Sequence, residues 1–423
     1  MKKHLKSTHL LAMILCSTLL FVSCSKDDDG MEDVNEDPDP VEEILPPIAL
    51  DCDYFSEDRV LENDPQRPVD YIISCYASIE GSLKIEPGVV IAFENHAGMW
   101  VASENKLFDV RGTPTDPVIF TGTSQQNGFW RGLYFAEAHN LSNTIEHAVI
   151  EYAGSQPFTE MSPLYEGSLA IRGVSGTPPQ ALTLNHVEIS KGGSFGLDFH
   201  RIETNATVMT SNLNITENNG VPAKVTVQMA HIFNNSSTYS GNASDFLNIV
   251  SDHYEIEDPR TWQNLDVPYL VDRRVHIRDG GHLTIEAGSE LYFEPEAYLQ
   301  PYDGSTDGGS DLSLQILGTA DNPVLLTAAN GTNWGGLFFG FTQQDNVISH
   351  AIIEYAKGDF PVGNIENSGA IYMHAAPVIS VDNTLFRNIP NCVFYGYSGG
   401  DPFENLSTTN LTFENVGPEL CEA

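Results

Sequence analysis

The sequence predicts an all-β fold built from two tandem copies of one pattern. Four blocks of residues recur in the same order, at offsets that stay between 200 and 206 residues. Short runs rich in Val, Ile, Leu, Phe and Tyr alternate apolar with polar residues between Gly, Pro, Asn and Asp, as half-buried strands do. No stretch of ten residues after the N-terminal apolar run has helical periodicity.

The duplication accounts for most of the chain. Four ordered matches at nearly one offset indicate a tandem repeat, with copies of about residues 60–250 and 262–423. The matched blocks are 81–94 with 281–294, 110–122 with 316–328, 129–135 with 333–339, and 143–154 with 346–357.

Many short strands in a duplicated block fit a sandwich, a propeller or a solenoid. Hairpin dipeptides are few for the first two. The phrases LxIxPG, GTxxxP(V/I)xFTG, WxGLxF and NxIxHAxIEYAG resemble those of right-handed parallel β-helix repeat proteins, found as surface lipoproteins in Bacteroidota. The resemblance covers nearly all of residues 52–423. It implies one right-handed parallel β-helix solenoid over 51–423, with about 12–15 coils and a length of roughly 60–70 Å at ~4.8 Å per strand.

Residues 1–23 have the pattern of a lipoprotein signal peptide. Lys2, Lys3 and Lys6 precede a 13-residue apolar run over residues 10–22, which is too short to span a bilayer comfortably. The run ends in Phe-Val-Ser before Cys24, which resembles a bacterial lipobox. The resemblance implies that Cys24 is acylated and anchors the protein to a membrane.

Residues 24–50 are predicted to hold the lipidated cysteine and a disordered acidic tether. Residues 25–45 contain ten acids and one lysine, with too little apolar surface to offset the entropy of ordering. The Ser-Lys-Asp-Asp-Asp at residues 25–29 resembles the export tag of surface lipoproteins in Bacteroidota. It implies an outer-membrane protein that faces the cell exterior.

The net charge of the chain that follows the signal peptide and tether limits the kinds of partner it can bind. Without the four N-terminal lysines and the ten tether acids, 16 basic and 48 acidic residues remain, a net charge of −32. Such a surface repels nucleic acid and other polyanions unless metal ions bridge them. We therefore expect no nucleic-acid partner, and contact with a membrane through the lipid anchor only.

Four cysteines remain in the exported part, in one cluster at each end. An exported chain favours disulfides, and proximity in the chain favours Cys52–Cys75 and Cys392–Cys421 over the two other pairings. No spacing typical of a zinc site is present. The two clusters lie where the ends of a solenoid need caps.

Several residue sets have alternative interpretations. The duplicated His147/His350, Glu151/Glu354, Tyr152/Tyr355 and Trp130/Trp334 are interpreted as structural, because catalytic groups are rarely needed twice in one chain. Trp100 and Trp262 are not duplicated, and are candidates for sugar-stacking platforms or for core packing. Asp303, Asp307 and Asp311 lie four apart in a Gly-rich insertion and could hold calcium, although a solvated loop is the favoured interpretation.

We expect a non-enzymatic surface module for adhesion, glycan binding or assembly with envelope proteins. The alternative is a β-helix polysaccharide lyase or glycoside hydrolase, which only the likeness of fold supports. Arg111 and Arg387 resemble the arginine–proline motif of pectate lyases only superficially, since the copy of Arg111 is Leu317. The paired acids of polygalacturonases are absent from the sequence.

Overall fold

The structure is a computed structural model that describes residues 44–422, except 103, 174–178, 203–204, 252–254, 279, 305–310 and 343–344. The predicted signal peptide, Cys24 and the acidic tag therefore lie outside the described residues. Within the described ranges, no helix is long and apolar enough to span a membrane.

Thirty-six short strands and three 3₁₀ helices form the described chain. In the first copy and the junction, the strands are β1 Ile48–Leu50, β2 Arg59–Leu61, β3 Tyr71–Ile73, β4 Tyr76–Ile79, β5 Leu83–Ile85, β6 Val90–Phe93, β7 Gly98–Val101, β8 Phe108–Arg111, β9 Val118–Gly122, β10 Gly132–Phe135, β11 Thr144–Glu151, β12 Leu169–Ile171, β13 Ala181–Ser190, β14 Leu197–Phe199, β15 Thr207–Ser211, β16 Asn214–Thr216, β17 Ala223–Thr226 and β18 Leu247–Val250.

The second copy continues in the same style. Its strands are β19 Pro259–Trp262, β20 Tyr269–Val271, β21 Arg274–Ile277, β22 His282–Glu286, β23 Glu290–Phe293, β24 Tyr298–Pro301, β25 Ser313–Leu317, β26 Val324–Ala328, β27 Gly336–Gly340, β28 Asn346–Ser349, β29 Ala351–Glu354, β30 Gly369–His374, β31 Ile379–Asp382, β32 Leu385–Ile389, β33 Cys392–Tyr397, β34 Leu406–Thr409, β35 Thr412–Val416 and β36 Leu420–Glu422. The 3₁₀ helices span Cys52–Ser56, Val227–Ile232 and Val362–Asn364.

The strands stack in parallel into long sheets, which confirms the predicted parallel β-helix. The longest sheet has 13 strands, in the order β4-β7-β10-β12-β14-β17-β18-β20-β23-β26-β29-β32-β35. Strands of the first copy form an 11-stranded sheet, and strands of the second copy form two six-stranded sheets. Each coil places its next strand beside the equivalent strand of the previous coil, so the ladders grow along one axis.

The core is one apolar column inside the coils. Inward side chains form a single cluster that runs from Leu50 to Phe394. The strands alternate as predicted: in β9 and β22, buried residues alternate with half-buried ones. No coil could bury its inner face alone, and stacking completes the core.

The duplicated histidines and tyrosines lie at corners of the coils. His147 and His350 have φ of 46° and 48°, and Tyr152 and Tyr355 have φ of 63° and 61°. Left-handed backbone is uncommon for such residues, and it lets the chain turn from one sheet to the next. Both copies need the same turns, which accounts for the duplication.

The two copies do not continue each other face to face. The equivalent strands β10 and β27 carry the sequences GLYF and GLFFG, yet β10 lies in the 13-stranded sheet and β27 in a six-stranded sheet. The 13-stranded sheet instead continues into β20, whose equivalent β3 belongs to the 11-stranded sheet. The junction thus advances the pattern by one face around the coil.

Disulfides close both ends, with the predicted pairing confirmed. Cys52 bonds Cys75, with Cα atoms 6.1 Å apart, and Cys392 bonds Cys421, with Cα atoms 6.2 Å apart.

The fold begins earlier than the predicted boundary at residue 51. Strand β1 pairs in parallel with β3, because the apolar Ile48 and Leu50 extend the sheet after two prolines. The prediction of a disordered tether up to residue 50 was therefore wrong for the strand Ile48–Leu50.

Candidate functional site

An aromatic groove of about 680 Å³ lies on the outer surface of the first copy. It covers β4, β7, β10 and β12 of the 13-stranded sheet, and we call it the N-terminal groove. Its lining combines aromatic rings with arginines, and the main members are Tyr76, Trp100, Tyr134, Phe158, Tyr165, Arg172 and Arg201.

The pleat of neighbouring strands brings the rings together. Trp100 on β7 pairs in register with Tyr134 on β10, so both side chains leave the same face of the sheet. Tyr76 on β4 stacks beside Trp100, with ring centroids 6.3 Å apart. Trp100 is 38% exposed, which leaves its ring open as a platform at the groove.

A loop between β11 and β12 forms the other wall. Phe158 of this loop stacks on Tyr134 at 5.2 Å with nearly parallel planes, and Tyr165 packs against the same ring at 5.6 Å. The Phe158 amide donates a hydrogen bond to the Tyr165 carbonyl at 2.7 Å, which closes the loop on itself. The tip of the loop carries Met161, 82% exposed.

A buried polar pair holds the base of that loop. The Asp198 carboxylate on β14 accepts a hydrogen bond from the Glu166 amide at 2.9 Å, and its other oxygen lies 2.5 Å from Nδ1 of His200. Asp198 is fully buried and His200 nearly so. The His200 ring in turn packs 5.1 Å from Tyr165.

Arginines give the N-terminal groove a local charge opposite to that of the chain. Most described cations elsewhere pair with carboxylates, as Arg111 does with Asp109 at 2.7 Å, whereas Arg131 and Lys224 lie over the rings of Tyr76 and Phe195. Arg172 lines the groove and has no ion-pair partner among the residues that the structure describes. Arg201 lines the same wall. Glu160 is the carboxylate among the described lining residues.

The tyrosine hydroxyls of the groove stay protonated. Burial raises the pKa of Tyr134 far above its usual range, and the nearby Tyr165 adds to the effect while Arg172 opposes it. Burial likewise raises the pKa of Tyr165, which donates to the Gly173 carbonyl at 3.4 Å. The Tyr134 hydroxyl has no hydrogen-bond partner among the described residues, so the wall holds an unused donor.

The duplicated acids belong to the framework. The Glu151 carboxylate accepts hydrogen bonds from Thr121 and Lys191, both at 3.0 Å. Glu354 repeats the arrangement with Thr327 at 2.8 Å and Arg387 at 2.7 Å. Each carboxylate thereby links three successive coils.

The duplicated tryptophans are core residues. Trp130 and Trp334 are fully buried, stack on Phe93 and Phe293 at 4.1 and 4.0 Å, and donate through Nε1 to the carbonyls of Glu151 and Glu354 at 2.7 and 2.8 Å.

Trp262 is not a surface platform. It is fully buried and stacks on Tyr269 at 5.2 Å, because its position on β19 points into the core at the start of the second copy. Of the two predicted sugar platforms, only Trp100 is exposed at a groove.

The predicted calcium loop is described only in part. Asp303 and Asp311 are described and Asp307 is not. Oδ1 of Asp311 lies 3.4 Å from Nε2 of His282. Among the described residues, no group of three or more His, Cys, Asp or Glu side chains could hold a metal ion. Calcium binding at Asp303, Asp307 and Asp311 stays a prediction.

Comparison with protein-family models, curated proteins and solved structures found no match for this chain.

Sequence reasoning found one member of the N-terminal groove, Trp100. Tyr76, Tyr134, Phe158 and Arg172 were missed, since they lie 24 to 72 residues from Trp100 and meet it only through stacking of coils. The alternation of β10 contained a weak signal, because an outward aromatic on a surface strand is unusual in a solvated face.

Proposed function

We propose that this is a lipid-anchored cell-surface protein that binds a polysaccharide in the N-terminal groove without cleaving it. One observation carries the proposal: an exposed Trp100 beside Tyr76, in a groove that is also lined by Arg172, which has no ion-pair partner among the described residues, on a chain whose net charge is strongly negative. Cations are scarce in this protein, so their position at an aromatic groove points to a ligand.

The lining suits a sugar chain in its chemistry. The C–H faces of pyranose rings are weakly apolar and cover flat aromatic rings, while their hydroxyls need donors and acceptors at the edge. Trp100 supplies the open flat surface, beside Tyr76, whose ring lies under the Arg131 guanidinium at 4.2 Å. Arg172 supplies donors in a planar fork, which also pairs with carboxylates of acidic sugars.

The location rests on the N-terminal sequence. The charged start, the 13-residue apolar run and the lipobox-like residues before Cys24 support acylation there. The acidic residues 27–29 support display at the outer face of the outer membrane.

Binding and cleavage can be separated in one experiment. Full-length protein in a detergent without a sugar head group is applied to an array of neutral and acidic polysaccharides. Every polymer that binds is then incubated with the protein, with and without calcium, and its products are separated by chromatography. We expect retention of at least one polymer without new reducing ends or unsaturated products.

Two variants connect the result to the groove. Trp100→Ala is expected to lose retention of the polymer that occupies the N-terminal groove, whereas Tyr292→Ala, which truncates a partly exposed aromatic on β23, is expected to keep it. A Trp100→Ala protein that retains every polymer retained by the wild type would place the binding elsewhere. Release of products by the wild type would move the protein to the lyase or hydrolase class.

A further inference from the structure

The second copy has an aromatic groove of its own, of about 580 Å³. We call it the C-terminal groove. It lies over β24, β27, β30 and β33, and its lining includes Tyr302, Phe338, Tyr372, His374, Tyr395 and Tyr397. Phe338 is the copy of Tyr134, so the two grooves occupy equivalent positions in the two copies.

The rings of the C-terminal groove form two columns across successive coils. Phe338, Tyr372 and Tyr395 pair in register, with ring centroids 4.8 and 5.8 Å apart. In the second column, His374 and Tyr397 stack at 5.3 Å. Tyr397 is 52% exposed, which gives this groove an open ring, as Trp100 does in the first copy.

Both grooves have the same kind of wall. In the second copy, Phe360 packs edge-to-face on Phe338 at 5.4 Å, at the position where Phe158 stacks on Tyr134 at 5.2 Å. The Phe360 amide donates to the Ile365 carbonyl at 2.8 Å and closes its loop as the Phe158 amide does. The duplication has therefore preserved a loop-walled groove, although Trp100 became Gln300 and Ala170 became Tyr372.

The lining charge differs between the grooves. Glu366 lines the C-terminal groove, and no Lys or Arg is among its described lining residues. Burial lowers the pKa of His374, so that side chain is neutral at neutral pH. Such a lining repels a carboxylate-bearing chain, whereas tyrosine hydroxyls and stacked rings suit a neutral one.

The grooves open on different faces of the solenoid. The N-terminal groove lies over the 13-stranded sheet, and the C-terminal groove lies over the six-stranded sheet that contains β27. Seven strand steps separate β10 from β26, the strand before β27, which is roughly 35 Å along the axis at ~4.8 Å per step. One straight chain lying in the first groove would run on over β20 and β23, away from the second.

We infer that the C-terminal groove is a second carbohydrate site, for a neutral glycan, and that one protein molecule joins two separate polysaccharide chains. The cross-linking part rests on the proposed function of the N-terminal groove. The second site itself does not.

The test uses full-length protein in the same detergent and a panel of neutral hexasaccharides, comprising α- and β-linked glucans, mannan and xylan. Binding is measured by saturation-transfer NMR and calorimetry. For the neutral ligand at this site, Tyr397→Ala is expected to weaken binding at least tenfold. Trp100→Ala and Tyr292→Ala are expected to leave it within twofold.

The outcomes separate the two proposals. No binding by any hexasaccharide of the panel, or binding that Tyr397→Ala leaves unchanged, overturns the second site. Loss of that binding in Trp100→Ala assigns it to the N-terminal groove and also overturns the second site. Neutral binding lost only in Tyr397→Ala supports it, even if array binding at the N-terminal groove fails.

Cross-linking is read from light scattering of mixed polymers, one that binds each groove. The wild-type protein is expected to raise light scattering when its amount matches that of the polymer binding sites. A large excess of protein is expected to abolish that rise. Trp100→Ala and Tyr397→Ala are each expected to bind the polymer of the intact groove without raising light scattering. Equal scattering from the wild type and from both single variants would refute the bivalent arrangement.

Discussion

Truncating Trp100 gives the sharpest prediction. Its ring is 38% exposed, which is about 95 Å² of a side chain that can bury ~250 Å². Covering that area with a sugar would contribute about 2 kcal/mol at ~25 cal/mol per Å². Trp100→Ala should therefore weaken polysaccharide binding by roughly 30-fold, and Trp100→Phe by less.

The assay is calorimetry with an oligosaccharide of the polymer found on the array. The fold should survive the change, because Trp100 projects outward from β7 and its ring contact with Tyr76 is a loose 6.3 Å. Thermal unfolding of Trp100→Ala is the control and should match that of Tyr292→Ala. A folded Trp100→Ala protein with wild-type affinity would show that this ring is not a platform.

Four further results are expected. Fatty-acid labelling should mark the wild type and not Cys24→Ala, and equal labelling would exclude this lipidation site. Alanine at residues 27–29 should leave a lipidated protein shielded from external protease; unchanged cleavage would reduce the tag to a spacer. Cys421→Ser removes a disulfide that joins residues 29 apart and should destabilise the last coil by about 3.5 kcal/mol. Protease should then cleave first near β36. An unchanged digestion pattern would count against a capping role for this disulfide. Arg172→Gln should weaken acidic oligosaccharides about tenfold and neutral ones little, against Lys106→Gln as control; equal losses for both ligands would contradict a charge contact.

The fold was predictable because its signal repeats. A β-helix reuses one local rule in each coil, so the alternation of β9 and β22 and the matched blocks reported the same architecture independently. The terminal disulfides followed from chain proximity. Strand β1 was missed, because three residues after two prolines have too little pattern to distinguish from a tether.

The site was hidden for the opposite reason. Trp100 and Trp262 look alike in sequence, yet one faces solvent and the other the core, since a shift of one residue reverses the face of a strand. Arg172 and Trp100 line one groove only because β10 lies between β7 and β12 and pairs with both strands. No local pattern gives that neighbourhood without the register of the coils.

The junction decides how a duplicated site can be used. Had the copies continued face to face, both grooves would lie along one sheet and could hold one long chain. The link through β17, β18 and β20 instead advances the pattern by one face, while the sheet ladder stays unbroken. Stability requires only that some parallel strand continue each ladder, so the core accepts either arrangement. The arrangement present separates the grooves around the rod, and a rigid solenoid then fixes the directions from which its two ligands approach.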